Sequence, residues 1–238
     1  MSESPREMVE NLKSAGAVEK RRKPGRPSKD SNLRDRILDH AELAFAESGF
    51  AGASTRDIAQ RAEVNQGLIR YYFETKEQLY SEVFRRRGSV LAGRRHVLLD
   101  RLLASGKPYS VEDVIRAYLQ PQWEMKNSNQ FGSAFVKLQA RIHAEPDEQS
   151  IALRREVYDA AVKRYIDALC PLLPHLGHEI VSLRMAFLVG TYLFMLNDLG
   201  RIEDMSEGEL SALDTGILLD NLVLFLAAGL RAEAPKSG

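Results

Sequence analysis

The chain has 238 residues, with 33 basic and 33 acidic side chains, five histidines and one cysteine. That length holds one large domain or two of moderate size, and an apolar fraction of 44% excludes disorder over most of it. One cysteine excludes an intramolecular disulfide and a multi-thiolate zinc site.

No apolar run near the start resembles a secretory signal. The most apolar stretch, Met185 to Leu196, has 12 residues against the roughly 20 that cross a bilayer, so the sequence predicts a cytoplasmic protein. Zero net charge hides a gradient: residues 1–96 carry 19 Lys/Arg against 14 Asp/Glu, and residues 97–238 carry 14 against 19. A polyanion is the natural partner of the first part.

Residues 1–30 lack the large apolar side chains of a core and end in Lys20-Arg21-Arg22-Lys23-Pro24-Gly25-Arg26-Pro27-Ser28-Lys29. Two prolines and a glycine oppose regular structure, so this segment reads as a flexible basic arm. Gly25-Arg26-Pro27 resembles the AT-hook, whose arginine (here Arg26) enters the narrow minor groove of A·T-rich DNA. A solvated tail that aids solubility is the other reading of such a charge run.

From Asn32 the pattern turns helical. Leu33, Ile37, Ala41, Ala44 and Phe45 recur at three- and four-residue spacing and predict helix over about 32–48, with Asp30 or Ser31 as cap. Gly49 suits the left-handed position after it, with Phe50 folding back onto Phe45. Ser54-Thr55-Arg56-Asp57 resembles a capping box opening a short helix that ends near Ala62. After the turn Glu63-Val64-Asn65, Asn65 caps a second short helix, Gln66 to Phe73. Thr75 and Gln78 open a long helix from Lys76 towards Leu103. Beyond Pro108, helical spacing occupies about 110–120, 131–144, 149–169, 179–198 and 211–231, with a break at Pro121. Nothing alternates as a strand would, so the fold class is all-α.

Two short helices joined by a three-residue turn, with Ala59 at their contact, are what a helix-turn-helix requires. Gln66, Gly67, Arg70 and Tyr71 face outward from the second. Gln can pair adenine, Arg can pair guanine, and Tyr can meet a thymine methyl or a phosphate. Thr55 and Lys76 sit at helix N-termini, where backbone N–H groups favour phosphate. A helical hairpin with a merely polar face has the same periodicity.

Thr55-Arg56-Asp57-Ile58-Ala59 and Val64 through Leu79, preceded by Ala44 through Phe50, resemble the DNA-binding segment of the TetR (tetracycline-repressor) family over about residues 33–83. The resemblance implies an N-terminal three-helix helix-turn-helix domain, a larger C-terminal helical bundle that binds ligand, and a homodimer on a palindromic operator. It places Thr55, Tyr72 and Lys76 at phosphate-contacting positions and Gln66, Gly67 and Tyr71 at base-facing ones. Arg70 stands where the family usually has tyrosine, and Asn65 where it often has serine. The expected division is arm 1–30, helix-turn-helix 31–78, ligand-binding and dimerisation domain 79–233, and tail 234–238. The ending Leu224 to Ala232 looks like a subgroup that includes fatty-acid-responsive regulators.

The last two helices of the family usually form the dimer interface. Here Leu183, Ala186, Phe187, Gly190, Thr191 and Phe194 make one stripe, and Leu218, Asn221, Leu222, Phe225 and Ala228 another. The same stripes could face the chain's own core. For a small, mostly apolar organic inducer the middle helices offer Tyr118, Trp123, Met125, Phe131, Phe135, Leu138 and Tyr158, with Arg141 to pair a carboxylate or phosphate. No catalytic motif, cofactor loop or metal-ligand set stands out, and His175 and His178 are a lone pair. The sequence therefore predicts a ligand-responsive transcriptional regulator, most simply a repressor, and not an enzyme.

Overall fold

The computed structural model describes residues 29–145, 147–197, 201–210 and 214–235. Arg26 and the basic arm lie outside the described residues, except that the arm's last two positions open the first helix. Among the described residues the regular elements are helical. They are α1 (Lys29–Gly52), α2 (Thr55–Arg61), α3 (Gln66–Phe73), α4 (Lys76–Leu103), α5 (Val111–Ser128) and α6 (Gln130–Ala144). There follow α7 (Glu148–Leu169), a 3-10 turn Cys170–Leu172, α8 (His178–Leu196), α9 (Arg201–Met205) and α10 (Thr215–Arg231). Packing is described for the unit that begins at Arg34.

α1 is longer than its apolar stripe. It starts at Lys29, so Asp30 and Ser31 lie inside its first turn and not ahead of it. At the other end Gly49 (φ 69°) breaks the helical backbone, and one further turn runs to Gly52. That positive φ favours glycine. It lets the Phe50 ring stack on Phe45, centroids 6.2 Å apart.

The next three helix starts follow their caps. Ser54 accepts from the Asp57 N–H at 3.0 Å, but the Asp57 carboxylate turns to Arg61 at 3.0 Å, so only half of the expected box forms. Asn65 Oδ1 accepts from Gly67 N–H at 2.7 Å, and Thr75 Oγ1 from Gln78 N–H at 3.1 Å. Each such cap stabilises by about 1 kcal/mol. Helices of 7 and 8 residues do not persist alone in water. Burial of Ile58, Ala59, Ile69 and Phe73 holds α2 and α3 in place, at about 1.5–3 kcal/mol per large apolar side chain.

α5 does not stop at Pro121 as the sequence suggested; it continues to Ser128. A proline inside a helix removes one N–H and loosens the carbonyls before it. Buried side chains from neighbouring helices take up carbonyls there: Arg95 Nε–H donates to Tyr118 O at 3.0 Å, and Tyr192 Oη–H to Leu119 O at 2.6 Å.

Two apolar clusters make the core. One joins α1–α3 to the first half of α4, α6 and the first half of α7 through Phe45, Phe73, Phe84, Phe135 and Leu153. The other joins Leu99 of α4 to α5, α8 and α10 through Trp123, Tyr165, Met185, Tyr192 and Val223. α4 thus belongs to both. α8 has 19 residues and is long and apolar enough to cross a bilayer, more than the 12-residue run had suggested. Val181, Met185, Leu188, Tyr192 and Leu196 are nevertheless packed in the chain's own core.

Candidate nucleic-acid interface and buried cavity

The helical period of α3 turns Ile69 and Phe73 inward and leaves Gln66, Gly67, Arg70 and Tyr71 exposed, Tyr71 at 78%. Thr55, Tyr72 and Lys76 border this face, half-buried. Gln66 Nε2 donates to Thr55 Oγ1 at 3.0 Å, which ties the start of α3 to the start of α2. A Cβ at Gly67 would stand 3.2 Å from the capping Asn65 Oδ1, so glycine keeps the cap open as well as the face flat. The Tyr71 and Tyr72 rings meet edge to face, centroids 5.2 Å apart. The Lys76 ammonium lies 4.6 Å over the Phe50 ring at the positive end of α4.

The charges beside this face differ in one respect. Arg61 is neutralised by Glu47 at 2.6 Å and by Asp57. Among the described residues no carboxylate lies within ion-pair distance of Arg70, Lys76 or the exposed Arg56, which the sequence reading had passed over. Free cations beside a protruding helix face suit a phosphate backbone. The signal for Arg56 was its place next to Thr55 at a helix N-terminus.

Within the bundle a cavity of about 110 Å³ lies among α4–α8. Of the aromatic and basic residues expected to line a ligand site, Tyr118 and Tyr158 border it. Trp123, Phe135 and Leu138 are instead packed in the two cores, and Phe131 is half-buried with Arg87 5.8 Å from its ring. Arg141 corrects the sequence reading: it is exposed, on the far side of α6, with Nη2 3.4 Å from the carbonyl of Glu47. Positions 139 and 143 share one face of that helix and position 141 the other, so Gln139 and His143 reach the cavity.

The polar lining comes largely from residues the sequence did not single out: Arg95, Gln122, Gln139, His143, Arg154 and Tyr192. Arg95 is 2% exposed; its Nη2 donates to Gln122 Oε1 at 2.9 Å, and its guanidinium lies 3.7 Å from the Tyr118 ring centroid. Gln122 in turn donates to Gln139. Burial, then the charges of Arg154 and Arg95, hold the pKa of His143 below its usual value. The Tyr158 hydroxyl is enclosed without a hydrogen-bond partner, and burial pushes its pKa far up. The signal for Arg95 was a lone cation in the apolar series Leu91, Ala92 and Leu99.

On the outer side of α8 and α10, Leu183, Phe187, Phe194 and Phe225 are exposed, Phe187 at 61% and Phe225 at 68%. Gly190 is open, with nothing within 4 Å of a Cβ placed there, and Thr191 and Leu218 are half-buried. Leu222 is turned into the chain's own core, while Ile217 and Leu224 extend the outer face. Among the described residues no group of three His, Cys, Asp or Glu could hold a metal ion, and His175 Nε2 lies 3.1 Å from the Arg231 carbonyl.

Residues 37–83 match the sequence model of the family described as bacterial regulatory proteins, tetR family. Residues 116–229 match that of the tetracyclin repressor-like C-terminal domain. The HTH-type transcriptional repressor KstR2 of Mycolicibacterium smegmatis is 36% identical over 77 residues, 32% of this chain and 38% of that protein. Matches to the first curated relatives span 28–38% of their lengths. A TetR-family transcriptional regulator from Bordetella parapertussis shares the fold at TM-score 0.62 and 18% identity, over 82% of this chain and 94% of that one. The fatty acid degradation regulator FadR from Bacillus halodurans does so at TM-score 0.57 and 19% identity, over 83% and 99%.

Proposed function

The chain belongs to the TetR family of bacterial transcriptional regulators, and from that premise we propose that it is a ligand-responsive repressor. It binds a palindromic operator as a homodimer in the cytoplasm and is released by a small, mostly apolar organic inducer. The arm 1–30 adds non-specific affinity through Arg26, residues 31–78 read the operator, and residues 79–233 bind ligand and the second subunit. No catalytic step is part of this reading.

The observation that carries it is the exposed face of α3, Gln66, Gly67, Arg70 and Tyr71, flanked by Arg56 and Lys76, which have no acid partner among the described residues. Gln66 and Tyr71 meet base edges, Arg70 a guanine or a phosphate, and Thr55, Tyr72 and Lys76 the backbone. A homodimer through the outward side of α8 and α10 supplies two such faces, which must lie about 34–36 Å apart to meet successive major grooves. Exposed Phe187, Phe194 and Phe225 support that interface, because an apolar patch on a soluble chain marks a contact surface.

Release follows from α4, which starts beside α3 at Lys76 and carries Arg95 into the cavity. At 1.5 Å per residue the two lie about 28 Å apart on one rigid element. A ligand that prefers a tilted α4 changes the spacing of the two α3 helices, and only that difference in affinity can drive the change. The test is a gel shift with DNA flanking the gene, using the unaltered chain and Gln66→Ala, Tyr71→Ala and Lys76→Ala. Selective retardation lost in the variants supports the reading; a strictly monomeric protein indifferent to the duplex offered refutes it.

A further inference from the structure

The cavity carries a charge that the described residues leave without a counter-ion. Arg95 is 2% exposed, and among the described residues no carboxylate lies within ion-pair distance of it. Its Nε–H and Nη2–H are used on Tyr118 O and Gln122 Oε1. Its Nη1 makes no hydrogen bond to a described residue and is not among the fully enclosed unpartnered atoms, and Arg95 lines the cavity. Withdrawing a guanidinium from water without a counter-ion is costly, and an aromatic face and two neutral oxygens offset only part of that.

The remaining charges do not cancel it. Arg154 also lines the cavity, its Nη1 donating to the His143 carbonyl at 2.9 Å, and among the described residues it too has no ion-pair partner. The one lining carboxylate, Asp159, is exposed at the rim and pairs with neither arginine. Burial, and behind it the charges of Arg154 and Arg95, lower the pKa of His143, which is what a positive cavity does to an imidazole. On the α7–α8 side the lining continues through His143, Val162, Val189 and Leu193 into an apolar trough of about 400 Å³ that also includes Met185 and Ala186.

We propose that the cavity takes an organic monoanion, its carboxylate or phosphate head accepting from Arg95 Nη1 and its apolar body lying along the trough between α7 and α8. The site replaces Arg141 by Arg95 as the anion-binding group and gives the mostly apolar inducer a charged end. It rests on the reading of the bundle as a ligand-binding module, and operator binding is needed only for the consequence at DNA.

The experiment titrates the full chain with octanoate, octyl phosphate and octan-1-ol, read by calorimetry. At least one anion binds roughly 10- to 100-fold tighter than the alcohol, as expected for a hydrogen bond to a charged group. Preference between the two anions tells a carboxylate ligand from a phosphorylated one. Arg95→Gln brings anion and alcohol to the same affinity, and Arg95→Lys restores part of the difference. Equal binding of all three probes, no binding of either anion, or a folded Arg95→Gln protein that keeps the full preference overturns the proposal. Should Arg95→Gln not fold, the comparison of anion with alcohol on the unaltered chain still decides. A gel shift kept separate from the titration distinguishes the failures: loss of operator selectivity sinks the regulator reading, whereas the Arg95 site stands or falls on the titration.

Discussion

The carboxylate of Glu42 in α1 is wholly enclosed and accepts the Nε–H of Arg87 from α4 at 2.9 and 3.0 Å to its two oxygens. Arg86 Nη2 reaches the same group at 3.1 Å and Asp39 at 2.7 Å. Burial pushes the Glu42 pKa above its ordinary value while the two guanidiniums pull it down. The pairing links α1 to α4 eight residues before Arg95.

Glu42→Gln removes the enclosed charge and leaves Arg86 with Asp39 at 2.7 Å and Arg87 with the same carboxylate only at 3.9 Å. Breaking a buried pair costs about 3–5 kcal/mol. Arg86 and Arg87 keep about a quarter of their surface, 26% and 27%, so a loss of about 2–3 kcal/mol is expected in a urea melt. A change within 0.5 kcal/mol, of the size typical at an exposed site, would show that the contact does not couple the helices.

At the DNA face two substitutions should behave differently. Gln66→Ala removes a base contact and costs about 1–3 kcal/mol on the preferred duplex alone, relaxing one position of the site. Lys76→Ala weakens binding on all sequences alike and lowers the salt slope by about 1. Fluorescence anisotropy over a salt series on specific and scrambled duplexes separates them.

Phe187→Asp and Phe225→Asp place charges on side chains that the described residues leave mostly exposed. Each leaves the monomer's thermal stability within about 0.5 kcal/mol, as exposed substitutions do, yet should convert a dimer to monomer in sedimentation equilibrium. A dimer that survives both places the interface elsewhere.

His143 gives the protein a pH dependence. Its folded pKa lies below the ordinary imidazole value of 6.5, so between the two values the unfolded chain holds a proton that the folded one does not. Stability from this residue is complete above 6.5 and is lost as pH falls through the folded value. Urea midpoints for the unaltered chain should drop over that window, and His143→Gln should flatten the drop. Identical pH profiles would mean that the imidazole stays hydrated in the native state.

The helix-turn-helix was legible because its signals are local. Ser54, Asn65 and Thr75 each cap a helix two or three residues on, and Gly49 answers a backbone need at its own position. Pro121 misled because a proline inside a helix costs one bond, to the Ala117 carbonyl, and packing can outweigh that cost. Here Arg95 and Tyr192, 26 residues before and 71 after it, bond the next two carbonyls, of Tyr118 and Leu119, from other helices. Arg141 and Arg95 both sit among apolar residues at helical spacing, and spacing does not say which neighbour a face will meet.

What the sequence determined by itself was most of the helices, the caps Ser54, Asn65 and Thr75, and the exposed face of α3, all set by interactions within a few residues. Only the tertiary structure decided which cation is enclosed, which leucines of α10 are inside, and where a cavity remains. Those depend on how five helices cross, and a crossing is set by side chains far apart in the chain filling a shared volume.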